Sequence, residues 1–144
     1  DKIINKLYEA SQANVKINII ARGICVLIPN LPKISENINV ISIVDRYLEH
    51  SRVFIFCNNN NEKYFIGSAD WMQRNFDHRI EVTAPVFSKK IQADLKKIIE
   101  IQLMDNVKAR LLNGSIPNTY KKDDNSQKIR SQIEIYKYLK EKQL

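Results

Sequence analysis

Two residues of the 144-residue chain have types and spacing suited to phosphoryl chemistry, His50 and Arg52. An imidazole can protonate a leaving oxygen, accept a proton or become phosphorylated. A guanidinium two residues along an extended segment lies on the same side and can neutralise a phosphate oxygen. His50 stands just before the apolar run Val53–Phe56; the asparagines Asn58 to Asn61 follow, and Tyr64–Ile66 leads into Gly67-Ser68-Ala69-Asp70-Trp71. This pattern predicts strand, hairpin turn, strand and a small-residue corner. The histidine at the mouth of one strand and the Gly-Ser corner at the exit of its neighbour can then meet on one side of a sheet and hold a phosphoryl group. Arg22, beside Gly23, offers a further guanidinium fork that matches phosphate geometry. Each residue keeps two readings at this point. His50 is either a satisfied structural histidine or a catalytic one, and Arg22 is either a salt-bridged strand-end residue or a phosphate ligand. Asp70, Asp77 and Glu81 are natural ion-pair partners for Arg74 and Arg79.

Other chemistries find little support. Neither the P-loop nor the dinucleotide-binding glycine pattern occurs, and three glycines in all leave little room for them. His50 and His78 lack a companion at metal-ligand spacing. Cys25 and Cys57 match no zinc or CxxC spacing and lie in apolar contexts, so both are expected to be buried free thiols in a reducing compartment. Gly67-Ser68 is not the nucleophile elbow of the hydrolases. The formal charge of +7 and pI near 9.4 favour polyanionic partners, with solubility alone as the plainer reading. No apolar run approaches membrane-spanning length, and the amphipathic start DKIINKLYEA is unlike a signal peptide. The length predicts one domain over 1–144. With no initial Met, the chain is expected to be a piece of a longer protein.

The elements that must position these residues follow from periodicity. Ile3, Ile4, Leu7 and Tyr8 predict a helix from Asp1 to about Asn14. Val15–Ile28 predicts at least one buried strand, interrupted at Arg22-Gly23 by a bulge or strand end. Pro29–Asn37 reads as a loop. Ile41, Val44, Tyr47 and Leu48 mark a helix face over Ile38–Glu49, which would put His50 at a helix C-terminus where the macrodipole favours imidazolium and Arg52 opposes it. Trp71–Asp77 reads as a turn or short helix and Arg79–Phe87 as a strand. Ser88 caps a helix carrying Ile91, Leu95, Ile98, Ile99 and Leu103. Val107–Leu112 is a short strand stopped by Asn113-Gly114. Ser115–Asn125 is a polar loop, and Ser126 caps a last helix with Ile129, Ile133, Tyr136 and Leu139 on one face. Strands alternating with helices predict an α/β fold around a mixed sheet.

The spacing H-x-R, strand, G-S-A-D resembles the phospholipase D superfamily pattern H-x-K-x4-D-x6-G-S-x-N. Arg52 stands where that pattern has Lys, Cys57 where it has Asp and Asp70 where it has Asn, with Gly67-Ser68 set three residues late. Longer stretches, ARGICVLIPNLPKISENINVISIVDRYLEHSRVFIF, GSADWMQRNFDHRIEV and DNVKARLL, look like the C-terminal part of the bacterial polyphosphate kinases that work through a phosphohistidine. The resemblance spans about Ile3 to the final helix. It implies a phospholipase-D-like mixed β-sheet flanked by helices, the second of two such domains with an active-site tunnel between them. It implies reversible transfer of the ATP γ-phosphoryl group to polyphosphate, with the phosphorylated histidine in the other domain. By the same resemblance His50, in LEHSR, is the second active-site histidine, binding nucleotide phosphates and acting as acid/base, and Arg22, in ARG, binds ATP. Arg52 as a phosphate ligand rests on spacing alone. Mg2+ is implied with ATP. The implied partners are ATP or ADP, polyphosphate, the remaining domains of the parent enzyme and further copies of it in a homo-oligomer, with no nucleic acid. The implied location is the cytoplasm, with membrane association of the full-length enzyme as a further expectation. Two other functions stay open: a basic module binding polyanions or nucleic acid without chemistry, and a phospholipase-D-like phosphodiesterase assembled as a dimer.

Overall fold

In a computed structural model, residues 2–23, 25–112, 119–123 and 127–142 are described. The chain folds as α1 (Lys2–Gln12), β1 (Ile17–Ile20), β2 (Ile38–Ile43), β3 (Val53–Phe56), β4 (Lys63–Gly67), α2 (Gln73–His78), β5 (Thr83–Pro85), α3 (Lys89–Met104), β6 (Ala109–Leu111), β7 (Thr119–Tyr120) and α4 (Ser131–Glu141). It forms two compact units, residues 1–49 with 101–144 and residues 50–100. The α/β class stands, but the strands sort into two sheets. One is four-stranded and mixed, in the order β1-β2-β6-β7; the other is three-stranded and antiparallel, β3-β4-β5.

In the first unit β2 is one of the two inner strands. It runs parallel to β1, with Ile17 opposite Ile38, and antiparallel to β6, with Ile41 opposite Leu111. Alternate residues point to opposite faces. Ile38 and Val40 pack with Leu27 against Ile4, Leu7 and Tyr8 of α1. Ile41 and Ile43 pack with Ala109 against Ile20 and Leu103. The helix expected over Ile38–Glu49 is therefore a strand followed by irregular chain. A strand buried on both faces reads as a continuous apolar run, and a short apolar run does not separate helix from strand by period. The β-branched content of INVISIV favours the strand. Val44, Tyr47 and Leu48, expected on the helix's inner face, are exposed within the chain.

Further boundaries differ in smaller ways. The strand expected over Val15–Ile28 stops at Ile20, so Arg22 lies beyond a strand end with its side chain out of the core. Only Thr83–Pro85 of the Arg79–Phe87 segment pairs, and Ile80 is fully exposed. Thr119–Tyr120, inside the expected polar loop, pairs with β6. Helix α4 buries Ser131 and Gln132 and leaves Ile133, Tyr136 and Leu139 outward, the reverse of the expected face. Asn113, Gly114 and Ser126, expected to end a strand and cap a helix, lie outside the described residues.

The second unit is built on a local hairpin. β3 and β4 pair with Val53 opposite Ile66 and Phe56 opposite Lys63. Between them Asn58, Asn59 and Asn60 all take positive φ, at 45°, 52° and 63°. Asparagine tolerates this left-handed region better than any residue but glycine, because its short side chain bonds locally. Here Asn58 Nδ2 donates to the Asn61 carbonyl at 3.0 Å. The asparagine run is thus the chemistry of the turn.

Ile41→Ala is expected to lower stability by about 3 kcal/mol through a core cavity, whereas Val44→Ala costs less than about 0.5 kcal/mol. Equal effects in denaturant unfolding would favour the helix over the strand.

Candidate functional site

Within the second unit, the β3–β4 register sets the surroundings of His50. Gly67 N–H donates to the Arg52 carbonyl at 2.9 Å, extending the hairpin by one rung. Asp70, just past the corner, then reaches back to Arg52. Arg52 Nε and Nη2 donate to Asp70 Oδ1 at 3.1 and 2.9 Å. Arg52 Nη1 donates to the His50 carbonyl at 3.0 Å, and Nη1 and Nη2 lie 3.0 and 3.2 Å from His50 Nδ1 and Nε2. A guanidinium has donors only, so it pairs with a ring nitrogen that carries a lone pair. His50 is exposed, while the Arg52 side chain is 17% exposed. No helix precedes His50, so the macrodipole argument falls away. Arg52 meets the imidazole as a hydrogen-bond donor.

The Gly-Ser corner is internally committed. Ser68 Oγ donates to Glu81 Oε2 and accepts from Val82 N–H at 3.0 Å. Asn75 Nδ2 donates to Glu81 Oε1 at 2.7 Å. These donors, Ser68 foremost, hold the Glu81 carboxyl below its usual pKa, with the Arg79 field a lesser cause. Asp70 pairs with Arg52 rather than with Arg74 or Arg79. A Cβ at Gly67 would sit 3.3 Å from both Phe54 and Thr83, and Phe54 stacks on Trp71 at 5.1 Å between centroids. Glycine at the corner permits this close approach.

Arg22 belongs to the first unit. It is exposed, and its Nη1 donates to the Glu49 carbonyl at 3.2 Å. The stretch before His50 is held by groups remote in sequence. Arg130 grips Asp45 through two bonds, Nε to Oδ2 at 2.8 Å and Nη2 to Oδ1 at 2.7 Å. That grip holds the Asp45 carboxyl below its usual pKa, against the effect of burial. The buried Gln132 donates from Nε2 to the Tyr47 carbonyl and to Glu49 Oε1, at 2.8 and 2.9 Å, and accepts the Tyr47 N–H at 2.9 Å. Gln102 Nε2 adds a bond to Glu49 Oε2 at 3.3 Å. None of these partners had a local sequence signal.

Between Arg130 and Gln132 lies Ser131, which is bonded to Asp105, a fully buried residue. Its Oδ1 accepts the N–H groups of Val107, Lys108 and Ala109 at 2.9, 2.6 and 2.9 Å, and its Oδ2 accepts Ser131 N–H at 2.7 Å. Burial raises its pKa, but the backbone donors of Ser131, Lys108 and Ala109 outweigh that and leave it lowered. Elsewhere, Cys57 is exposed and Cys25 only half-buried, which corrects the expectation of two buried thiols. The Cys57 strand-end position is the reason, since β3 stops at Phe56. Among the described residues no group of three or more His, Cys, Asp or Glu side chains is placed to hold a metal ion.

The family described as "Polyphosphate kinase C-terminal domain 2" matches residues 1–132. This chain belongs to that family. It is 51% identical over 138 residues to the polyphosphate kinase of Vibrio cholerae serotype O1 and 47% identical to that of Escherichia coli K12, covering 96% of this chain in each case. The crystal structure of the polyphosphate kinase from Porphyromonas gingivalis superposes on 99% of it with a TM-score of 0.95 and 46% identity. The phospholipase-D-like α/β fold, with sheets flanked by helices, goes with that match. The chain spans about a fifth of the relatives' length, 20% of the curated proteins and 22% of the solved chain. Among the described residues of this family member no helix is long and apolar enough to cross a membrane.

Asp105→Ala is expected to destabilise the fold by about 3 kcal/mol, as four backbone donors lose a charged acceptor. Because its folded pKa is lowered, the stabilisation is complete above the ordinary carboxylate range near pH 4 and is lost as pH falls through the folded value. Asp105→Asn should accordingly flatten the acid limb of the stability–pH curve. An unchanged limb would place the acid sensitivity elsewhere.

Proposed function

We propose that this chain supplies the nucleotide-facing half of a polyphosphate kinase site, binding the ATP phosphates and assisting reversible transfer of the γ-phosphoryl group to polyphosphate. The observation that carries the reading is the His50 imidazole, exposed to a ligand yet held at its ring nitrogens by a guanidinium fork. The family membership supplies the reaction class.

The forward reaction runs in two displacements. The bond between the γ-phosphorus and the β,γ-bridging oxygen breaks as a histidine nitrogen elsewhere in the parent protein attacks, and ADP leaves. The phosphorus–nitrogen bond then breaks as the terminal oxyanion of polyphosphate attacks, and the chain grows by one unit. Such transfers depend on positioning and charge neutralisation more than on covalent work by the surrounding residues. His50 serves as phosphate ligand and as acid/base toward the bridging oxygen. Arg22 contributes a guanidinium to the nucleotide phosphates. Mg2+ enters as part of the nucleotide substrate, where it offsets phosphate charge. The net charge of +7 suits both polyanionic substrates. The reaction is placed in the cytoplasm with ATP, in a homo-oligomer of the parent enzyme.

In the full-length protein, His50→Ala is expected to lower kcat by roughly 100-fold or more. Arg22→Ala is expected to raise KM for ATP by about 10-fold, the loss of one charge-assisted phosphate contact. The 144-residue chain by itself is expected to form no polyphosphate from ATP. Processive synthesis by that chain, or full activity of His50→Ala, would overturn the reading.

A further inference from the structure

We propose that Arg52 and Asp70 are positioning residues, an ion pair that fixes the ring orientation of His50. The proposal rests on the reading of His50 as the phosphate-facing acid/base, and it assigns Arg52 a role other than the phosphate contact expected from spacing.

The fork of Arg52 is spent inside the unit. Two of its nitrogens, Nε and Nη2, are bonded to Asp70 Oδ1. Nη1 is bonded to the carbonyl of His50 itself. With the guanidinium plane pinned on a carboxylate and on the main chain, Nη1 and Nη2 present their remaining hydrogens to the imidazole. The charge of the guanidinium is met by Asp70 at 2.9 Å, and the Arg52 side chain is largely covered, so it is poorly placed to meet a polyphosphate chain directly. It is well placed to orient the imidazole. A neutral imidazole carries one N–H and one lone pair, and a donor-only neighbour requires the lone pair. The fork reaches both ring nitrogens, so whichever carries the lone pair is bonded, and the ring orientation is held before substrate arrives. Arginine is needed here because lysine has no planar fork to span a carboxylate, a carbonyl and a ring at once. The two positions at which this chain departs from the H-x-K and G-S-x-N pattern, Arg52 and Asp70, are each other's partner. Neither departure is explained alone. Together they turn the guanidinium onto the histidine, with its charge met by Asp70.

The test uses Asp70→Asn, which keeps the side-chain shape, with Arg52→Lys and Arg52→Gln, in the full-length protein beside His50→Ala. Positioning predicts that Asp70→Asn and Arg52→Gln lower kcat roughly 10- to 100-fold, with KM for ATP changing by less than about threefold. It also predicts that Arg52→Lys gives no rescue. A direct phosphate contact predicts the opposite split, a raised KM with kcat largely kept and lysine restoring most of the function. The second readout is nitrogen-15 NMR of the ring nitrogens in this chain, where His50 and His78 are the only histidines and His78→Gln assigns them. Loss of the fork should shift the ring-nitrogen resonances of His50 in both Asp70→Asn and Arg52→Gln and leave those of His78 unchanged. Unchanged ring shifts in both variants, or retained kcat while His50→Ala is inactive, would overturn the positioning role and leave the function standing. An active His50→Ala would instead overturn the function, and the ring shifts would still decide the positioning.

Discussion

A buried carboxylate has to be fully bonded or it destabilises the fold, and Asp105 meets that requirement with four backbone N–H groups. Those bonds join the turn into β6 to the first residue of α4. The first turn of α4 then places Gln132 against Tyr47 and Glu49, while Arg130, one residue before the helix, takes Asp45. Through these contacts the Asp105 carboxylate sets the course of the irregular stretch from Asp45 to Glu49. Arg22 bonds to the same stretch at the Glu49 carbonyl. The stretch from Asp45 to Glu49 is thus irregular in dihedral angles but closely bonded at its main-chain and side-chain groups.

The second unit solves a different problem with local means. Its hairpin needs no remote partner, because the asparagine turn and the β3–β4 register are enough to bring Gly67 beside Arg52. Once that rung forms, Asp70 and His50 fall on either side of one guanidinium. The charged groups that look most available in the sequence are therefore unequal. Arg22 has one donor on a carbonyl and is exposed, whereas Arg52 is engaged at all three nitrogens. On the proposed reading a polyanion meets the first directly and the second only through the histidine it holds.

What could be read from the sequence divides along the same line between local and remote. The first helix, the His50 hairpin and the helix opened after Ser88 were legible because period, turn chemistry and capping act over a few residues. The family was legible from long stretches around Arg22, His50 and Gly67. The strand β2 was misread because its two faces are both buried, which erases the alternation that marks a strand. The inward face of α4 was misread because the fold turns Ser131 and Gln132 inward for their hydrogen bonds and leaves the apolar stripe outside. Asp45 and Arg130 are separated by 85 positions, and nothing local distinguishes them from solvated charges. The pairing of Arg52 with Asp70 spans only 18 positions and follows from the hairpin register, so a strict register count would have found it.

His50 and Arg22 are proposed here as phosphate ligands, and calorimetric titration of the chain with ATP and with polyphosphate tests that role most directly. The prediction is binding that weakens as salt rises, because exposed charges are screened, and that weakens further in both His50→Ala and Arg22→Ala. Binding of either polyanion that is indifferent to both substitutions would contradict the claim, and would leave the chain a basic surface without a site.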